Sequence, residues 1–300
     1  MNAVRIGTRR SKLALAQAEL VAEMLNRQGL DGEIVPLTTS GDEGTPAASS
    51  PAGLKGLWID SIVEALRDGR IDVAVHSAKD LPAQNDADLV IGAVPQRADP
   101  HDVVVLRDPG DLQAGMVLGT SSIRRKAQLL AMFPGLGVVE LRGNVDTRLR
   151  KVADGDVDGA VLAAAGLARL GVEPENIRAL TVDEIVPAPG QGCLAIQCRA
   201  DDRATRARLV PLDHRASHVA LDAERGLTAR LGGGCALPLG AIAAARSDVV
   251  RLAACVASPD GTRSIRAAAE AATPDRVAAM VEERLNDDGA GRILTEVRGS

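Results

Sequence analysis

The sequence has no tyrosine, one phenylalanine (Phe133) and one tryptophan (Trp58) in 300 residues. Proteins that hold single-stranded nucleic acid stack bases on aromatic side chains, and this inventory cannot build such a platform. Any aromatic ligand must be gripped by its polar groups. Scarce aromatics beside abundant alanine and arginine also fit a GC-rich genome, so the absence excludes a binding mode without naming a function. Cysteine is nearly as scarce: four residues do not make a disulfide-stapled miniprotein. No apolar run approaches the roughly 20 residues that span a bilayer. The N-terminus carries Arg5, Arg9, Arg10 and Lys12 where a signal peptide keeps an apolar stretch. The expectation is a cytosolic protein with reduced thiols. Excess positive charge is missing too. The net charge of −5 gives no non-specific attraction to DNA or anionic lipid.

What is present is an ordinary globular mixture, 46% hydrophobic and 25% charged. At roughly 100–200 residues per domain the chain should form two or three domains. It opens as strand (Val4–Ile6), loop (Gly7–Ser11) and helix, with Leu13, Ala16, Leu20, Val21 and Leu25 at near-helical spacing up to Gly29. A second strand covers Glu33–Leu37. Residues 38–56 are rich in Gly, Ser, Thr and Pro and read as a mobile surface loop, of the kind that serves as a lid. A helix from about Leu57 to Asp68 ends at Gly69, and Ile71–Val75 has the continuous apolar character of a buried parallel strand.

The middle of the chain repeats this plan. Leu118-Gly119-Thr120 echoes Ile6-Gly7-Thr8, with a helix starting near Ile123, and DGDVDGAVLAAAGL (154–167) matches DGRIDVAVHSAKDL (68–81) at seven of fourteen positions. Duplication and the chance likeness of helix–Gly–strand units both account for the match. Two similar α/β domains should face each other across a cleft, with ligands beyond the C-terminal strand ends and beside helix N-termini. Pro187–Gly192 reads as a crossover, after which Cys193–Cys198 should return to the first sheet. The last third changes character: a helix at Arg215–Leu231 runs into Gly232-Gly233-Gly234-Cys235. Short strands follow at Leu237–Ala244, Val249–Val256 and Arg263–Ala269, with a Pro259-Asp260-Gly261 turn and a closing helix from Pro274 to about Asn286. The expected domains are 1–96 with 191–212, then 97–190, then 213–300.

Three features could carry chemistry. Arginines gather at loops and helix starts: Arg9 and Arg10, Arg124 and Arg125, Arg142, Arg148 (one turn into a helix that Asn144 would cap) and Arg169. Helix N-termini and guanidiniums favour carboxylates, so in an acidic protein the cluster suggests a polyanionic small ligand. Solvated surface arginine is the other reading, preferred for Arg10, Lys12 and Lys151. Next, His76–Pro82 ends a buried strand with Lys79 and Asp80, which packing rarely calls for. Asp80 either stabilises a developing cation or forms a surface ion pair with Lys79. Finally, Cys235 follows three glycines and can be approached closely, whereas Cys193, Cys198 and Cys255 read as packing residues. His214 and His218 have helical metal-ligand spacing but lack a third ligand nearby, and read as surface histidines. No phosphate-loop, dinucleotide or zinc motif occurs, and no metal is expected.

Together the blocks IGTRRSKLALAQ, GLKGLW, DVAVHSAKDLP, GTSSIRR, LRGNVDTRL, LAAAGLARLG, PAPGQG and LGGGCALPLG closely resemble the porphobilinogen deaminase (hydroxymethylbilane synthase) family, over essentially the whole chain. That resemblance implies two periplasmic-binding-protein-like α/β domains plus a small C-terminal α+β domain. It implies a transferase of tetrapyrrole biosynthesis that joins four porphobilinogens head to tail, releasing ammonia and yielding hydroxymethylbilane for uroporphyrinogen-III synthase. It also implies a cytoplasmic monomer. A dipyrromethane cofactor would be held by a thioether to Cys235. Asp80 would bridge pyrrole N–H groups and stabilise the cationic azafulvene. Lys79, Thr120, Ser121, Ser122, Arg124, Arg125 and Arg142 would hold the cofactor. Arg9, Ser11, Arg148, Arg169 and Gln191 would bind the substrate, with Lys55 and Trp58 on the lid.

The chain departs from that pattern at Lys12 (often Pro), Ser40 (often Arg) and Pro51 (often Lys), which bears on lid contacts and rate. A non-catalytic, two-lobed carboxylate receptor would also explain the arginines but would leave Cys235 idle. A nucleic-acid binder fits neither the charge nor the aromatic content.

Overall fold

The computed structural model describes residues 3–37, 61–84, 86–233 and 237–299. These form two compact units. One comprises the described residues up to Arg97 together with Cys193–Val219; the other comprises Ala98–Gly192, Ala220–Gly233 and the chain from Leu237 onward.

The first unit contains β1 (Val4–Arg9), α1 (Lys12–Arg27), β2 (Gly32–Leu37), helix α2 (described over 61–67), β3 (Val73–Ser77), a single 3-10 turn at Ala78–Asp80 and β4 (Leu89–Ala93). In the second unit come β5 (Asp102–Leu106), β6 (Val117–Gly119), α3 (Ile123–Met132), β7 (Gly137–Val139), α4 (Val145–Ala153), β8 (Gly159–Ala163), α5 (Ala164–Arg169) and β9 (Ile177–Ala179). The chain then returns to the first unit for β10 (Leu194–Arg199) and α6 (Arg203–Leu209). The sheet orders are β2-β1-β3-β10-β4 and β7-β6-β8-β5-β9. In each, the first three strands are parallel and the fourth runs antiparallel to both neighbours. The two orders coincide position for position. β1 matches β6 and β3 matches β8, as the paired sequence segments predict. The fourth strand of each sheet is the one that arrives from the other unit.

Local sequence explains the elements. Ser11 accepts the Ala14 N–H and starts α1, whose buried positions Gln17, Ala18, Val21 and Leu25 form one stripe. That stripe packs with Ile6, Val73, Ile196 and Leu209, fully buried apolar groups worth ~1.5–3 kcal/mol each. Leu118, Leu129, Val161 and Ile185 make the matching core of the second unit. α7 (Arg215–Arg230) leads to an antiparallel sheet of β11 (Leu239–Arg246), β12 (Val249–Ala257) and β13 (Ser264–Ala271), covered by α8 (Pro274–Asp287) and α9 (Ala290–Gly299). The predicted turn joins β12 to β13, with Asp260 Oδ1 accepting the Thr262 N–H at 3.0 Å.

Two expectations need correction. Gly7–Arg9 is strand, not loop, because Thr8 and Arg9 pair with Pro36 and Leu37 of β2. β3 starts at Val73 rather than Ile71, since the Ile71 N–H still donates to Ala65 in the turn after α2. The short strands β4, β5, β7 and β9 and helix α9 were not anticipated. The expected loop at 38–56 lies outside the described residues.

The chain leaves the first unit after Arg97 and re-enters it at Cys193. On the second-unit side the two crossings run side by side, the Ala98 N–H donating to the Gly192 carbonyl at 3.2 Å. Gly192 has φ +86°, and a Cβ there would lie 2.5 Å from the Ala98 oxygen. Gly29 also has positive φ (+72°) but nothing within 4 Å. Gly29→Ala should therefore cost only the left-handed penalty, about 1 kcal/mol, and Gly192→Ala at least about 2 kcal/mol more, read as denaturant midpoints with unchanged slope.

Candidate active site

A cavity of about 140 Å³ opens in the first unit beyond the C-terminal ends of β1 and β3, beside the N-terminus of α1. An apolar cavity of about 150 Å³ accommodates benzene, so this one has room for a single five-membered ring. Its polar wall consists of Arg9, Ser11, Gln17, His76, Ser77 and Asp80. Parallel strands deliver Arg9 and Ser77 to the same edge, and the 3-10 turn after β3 carries Asp80 to the rim. Gln17 is buried on the inner stripe of α1 and donates to Ser77 Oγ at 2.8 Å. His76 is buried, and its Nε2 has no hydrogen-bond partner. Burial pushes its pKa down to about 4, against the weaker opposing pull of the neighbouring Gln197 side chain and of the Asp80 charge. The imidazole is therefore neutral at pH 7.

The second unit concentrates positive charge at the matching strand ends. Thr120 Oγ1 accepts the Ser122 N–H at 3.2 Å, and Ser122 caps α3 through the Arg125 N–H. Arg124 and Arg125 occupy the first turn of α3, the positive end of its dipole. Both are buried, and both point to one fully buried carboxylate, Asp102 at the start of β5. Burial alone would raise the Asp102 pKa; the charges of Arg124 and Arg125, with their hydrogen bonds and that of Gln191, hold it well below the usual carboxylate range. Arg148, on α4 behind the Asn144 cap, donates to the Gly143 carbonyl at 2.9 Å and to Ser121 Oγ at 3.1 Å. Its pKa is lowered by burial first and by the nearby Arg125 second. Two guanidiniums thus share one carboxylate, with Arg148 close to the second of them, and Arg124 Nε is buried with no partner. An excess of cations with an orphaned donor suits a ligand bearing several carboxylates.

Of the site residues predicted from sequence, Arg9, Ser11 and Asp80 share the first cavity. Lys79 precedes Asp80 in the same turn. Thr120, Ser121, Ser122, Arg124, Arg125 and Arg148 gather around the start of α3. Arg142 is exposed and pairs with Glu140 at 2.7 Å. Arg169 and Gln191 turn toward the crossing. Arg169 Nη2 donates to the Gly192 carbonyl at 2.7 Å, and Gln191 Nε2 donates to the Pro100 carbonyl and to Asp102 at 2.8 and 2.9 Å. Cys235, Lys55, Trp58, Ser40 and Pro51 lie outside the described residues.

Sequence reasoning missed Gln17 and Asp102. Gln17 had a signal, a polar residue on the apolar stripe of an amphipathic helix. Asp102 had none, since its partners stand 22, 23 and 89 positions away. His214 and His218 bond Ser217 and Asp213 respectively.

Residues 4–207 match the family described as "Porphobilinogen deaminase, dipyromethane cofactor binding domain", and residues 219–286 match "Porphobilinogen deaminase, C-terminal domain". The chain belongs to the porphobilinogen deaminase family. It is 42% identical to a porphobilinogen deaminase of Brevibacillus brevis over 299 residues, covering 98% of this chain and 97% of that one. It is 42% identical to one of Roseiflexus castenholzii over 301 residues (98% and 99%) and 44% identical to one of Syntrophotalea carbinolica over 300 residues (98% and 95%). Among solved structures, the Bordetella pertussis BvgS periplasmic VFT2 domain gives a TM-score of 0.40 at 17% identity, covering 70% of this chain and 86% of that one. Among the described residues, no helix is long and apolar enough to cross a membrane.

His76 yields a pH prediction for this deaminase-family fold. A histidine whose folded pKa lies below its unfolded value takes up its proton on unfolding, so stability falls as pH drops from about 6.5 to about 4. The depressed carboxylates act lower, as pH falls below about 3.8. His76→Gln should flatten the upper window, removing a pH-dependent term on the order of 3 kcal/mol and leaving the acid limb in place, read by denaturant unfolding between pH 7 and pH 4.

Proposed function

We propose that this chain condenses four porphobilinogens head to tail into hydroxymethylbilane, releasing ammonia at each step, with Asp80 as its catalytic residue. The observation that carries the proposal is the position of Asp80, at the rim of a ring-sized cavity whose remaining polar wall is made of groups suited to pyrrole N–H and carboxylate contacts.

The chemistry asks little of a base. The aminomethyl C–N bond breaks and the amine leaves as ammonia, generating a cationic azafulvene. An electron-rich pyrrole carbon attacks it, a C–C bond forms, and the attacking ring regains aromaticity by losing its α-proton. The protein's tasks are positioning and charge stabilisation. Asp80 faces the cation as it develops. At 4 Å and an effective dielectric of about 20, one unit charge is worth ~4 kcal/mol, roughly a thousandfold in rate. His76, neutral at working pH, adds no competing positive charge. Arg9, Ser11 and Gln17 suit the substrate's acetate and propionate arms.

The cationic surplus around Arg124, Arg125 and Arg148, with the orphaned Arg124 Nε, fits a group as rich in carboxylates as dipyrromethane. That cofactor supplies, when bound, a primer with a nucleophilic pyrrole carbon. Thr120, Ser122, Arg124 and Arg148 would receive its carboxylates, and Cys235, in the LGGGCALPLG block, would supply the thioether sulfur. The finer readings follow the family resemblance: a monomer, in the cytoplasm, passing hydroxymethylbilane to uroporphyrinogen-III synthase.

Intact-mass measurement of the purified chain should find it heavier than its sequence by one dipyrromethane, and Cys235→Ser should lack that mass. Asp80→Ala should remain folded and lose about a thousandfold in ammonia release. A Cys235→Ser protein that elongates porphobilinogen at the normal rate would overturn the attachment. A wild-type chain releasing no ammonia from porphobilinogen would overturn the activity.

A further inference from the structure

Asp102 touches neither the ring-sized cavity nor solvent, yet its carboxylate accepts four side-chain hydrogen bonds. Its Oδ2 accepts Arg124 Nη1 at 2.7 Å. Its Oδ1 accepts Arg125 Nε and Nη2 at 3.0 and 2.8 Å, and Gln191 Nε2 at 2.9 Å. Arg125 completes its set by donating Nη1 to the Val161 carbonyl at 2.7 Å, so every nitrogen of that guanidinium has a partner. Arg124 is treated differently: Nη1 reaches Asp102 and the Val186 carbonyl, while Nε stays buried with no partner. One carboxylate therefore holds one arginine through two nitrogens and leaves the Nε edge of its neighbour unpaired.

We propose that Asp102 is the positioning residue of the anion site. It locks Arg125 in place with a partner on each of its three nitrogens, and it aims the unpaired Nε edge of Arg124 at a ligand carboxylate. The inference rests on the deaminase reading above and names a residue which acts on that ligand only through the two arginines. Its physical consequence concerns selectivity. Two unpaired guanidiniums at the positive end of α3 would attract any small anion. With Asp102 holding one of them and halving the local charge, the site has a single receiving direction, which suits a carboxylate on a fixed ring better than a freely diffusing ion.

The test replaces Asp102 by asparagine, which keeps the shape and removes the charge. Asp102→Asn should raise KM for porphobilinogen by about tenfold to a hundredfold, with a smaller change in kcat. That range corresponds to one charge-assisted hydrogen bond misdirected. Chloride and phosphate should inhibit the variant at concentrations at least about tenfold lower than they inhibit wild type. Intact mass should show a smaller fraction of chains carrying dipyrromethane after expression. A purely structural role would lower the melting temperature and move neither the KM-to-kcat split nor the anion inhibition; that result, in a folded Asp102→Asn protein, overturns the inference. Two buried arginines without a counter-charge could prevent folding. The double variant Asp102→Asn/Arg125→Gln removes both charges, and comparison with Arg125→Gln then decides. A KM within about twofold of the single variant supports action through Arg125, whereas multiplying losses overturn it. A wild-type chain that releases no ammonia refutes the deaminase reading, while an active wild type with additive losses refutes only the role of Asp102.

Discussion

One ion pair network organises the second unit. Asp102 carries a full charge where no water reaches it, and such a charge persists only when oppositely charged groups surround it. Those groups come from everything that must be held together at the crossing. Arg124 and Arg125 come from the start of α3, and Gln191 comes from the returning segment. Gln191 also holds the Pro100 carbonyl of the outgoing segment, and Arg124 holds the Val186 carbonyl. A second buried carboxylate, Glu224 on α7, does the same for the C-terminal sheet, accepting the Gly190 and Ala243 N–H groups at 2.6 and 2.7 Å. Asp102 is held entirely by side chains, and Glu224 by backbone N–H groups at Gly190 and Ala243. The site chemistry of the second unit is thus tied to its connectivity: moving the crossing would move the arginines.

The sequence disclosed what is local and periodic. α1, α7 and α8 carry apolar stripes, so their limits were readable to within a residue or two, as was the start of α3. The C-terminal hairpin announced itself through Pro259-Asp260-Gly261. Strands of three to five residues such as β4, β7 and β9 were hidden, because so few positions display no period. Gly7–Arg9 misread as loop for a different reason. Glycine and threonine beside arginine look like turn chemistry, yet the conformation there is set by pairing with β2 and by the close approach of Ile71, neither visible from the neighbouring residues.

The candidate site divides along the same line. Asp80 and the Gly-Thr-Ser-Ser arginines stood out because charge at the end of an apolar strand or at a helix start is unusual. The partners those arginines choose could not be read, since a contact between residues 22 to 89 positions apart leaves no local trace. Gln191 and Arg169 illustrate this: in the fold Gln191 Nε2 donates to Asp102 and to the Pro100 carbonyl, and Arg169 Nη2 to the Gly192 carbonyl, partners that no neighbouring residue announces.

The internal repeat shows how one backbone plan supports two kinds of chemistry. α1 and α3 start from Ser11 and Ser122, and six residues past each cap lies a buried glutamine, Gln17 and Gln128. In the first unit that amide reaches Ser77 at the cavity; in the second it bonds both the N–H and the carbonyl of Val186 at the crossing. The third strands diverge more sharply. His76, Lys79 and Asp80 align with Leu162, Ala165 and Gly166, so one copy ends in ionisable groups and the other in apolar residues and glycine. The helix starts show the opposite trend, since the buried cations of the second unit sit in the first turn of α3 while α1 begins with the exposed Lys12. Identical strand orders therefore present an acid in one unit and a surplus of guanidinium in the other. An electrophile that needs a nearby negative charge and a product that gains carboxylates at every step make opposite electrostatic demands. The cavity that Asp80 lines contains one arginine, Arg9, whereas Arg124, Arg125 and Arg148 gather around the start of α3, so the two copies of one fold carry unequal shares of the two demands.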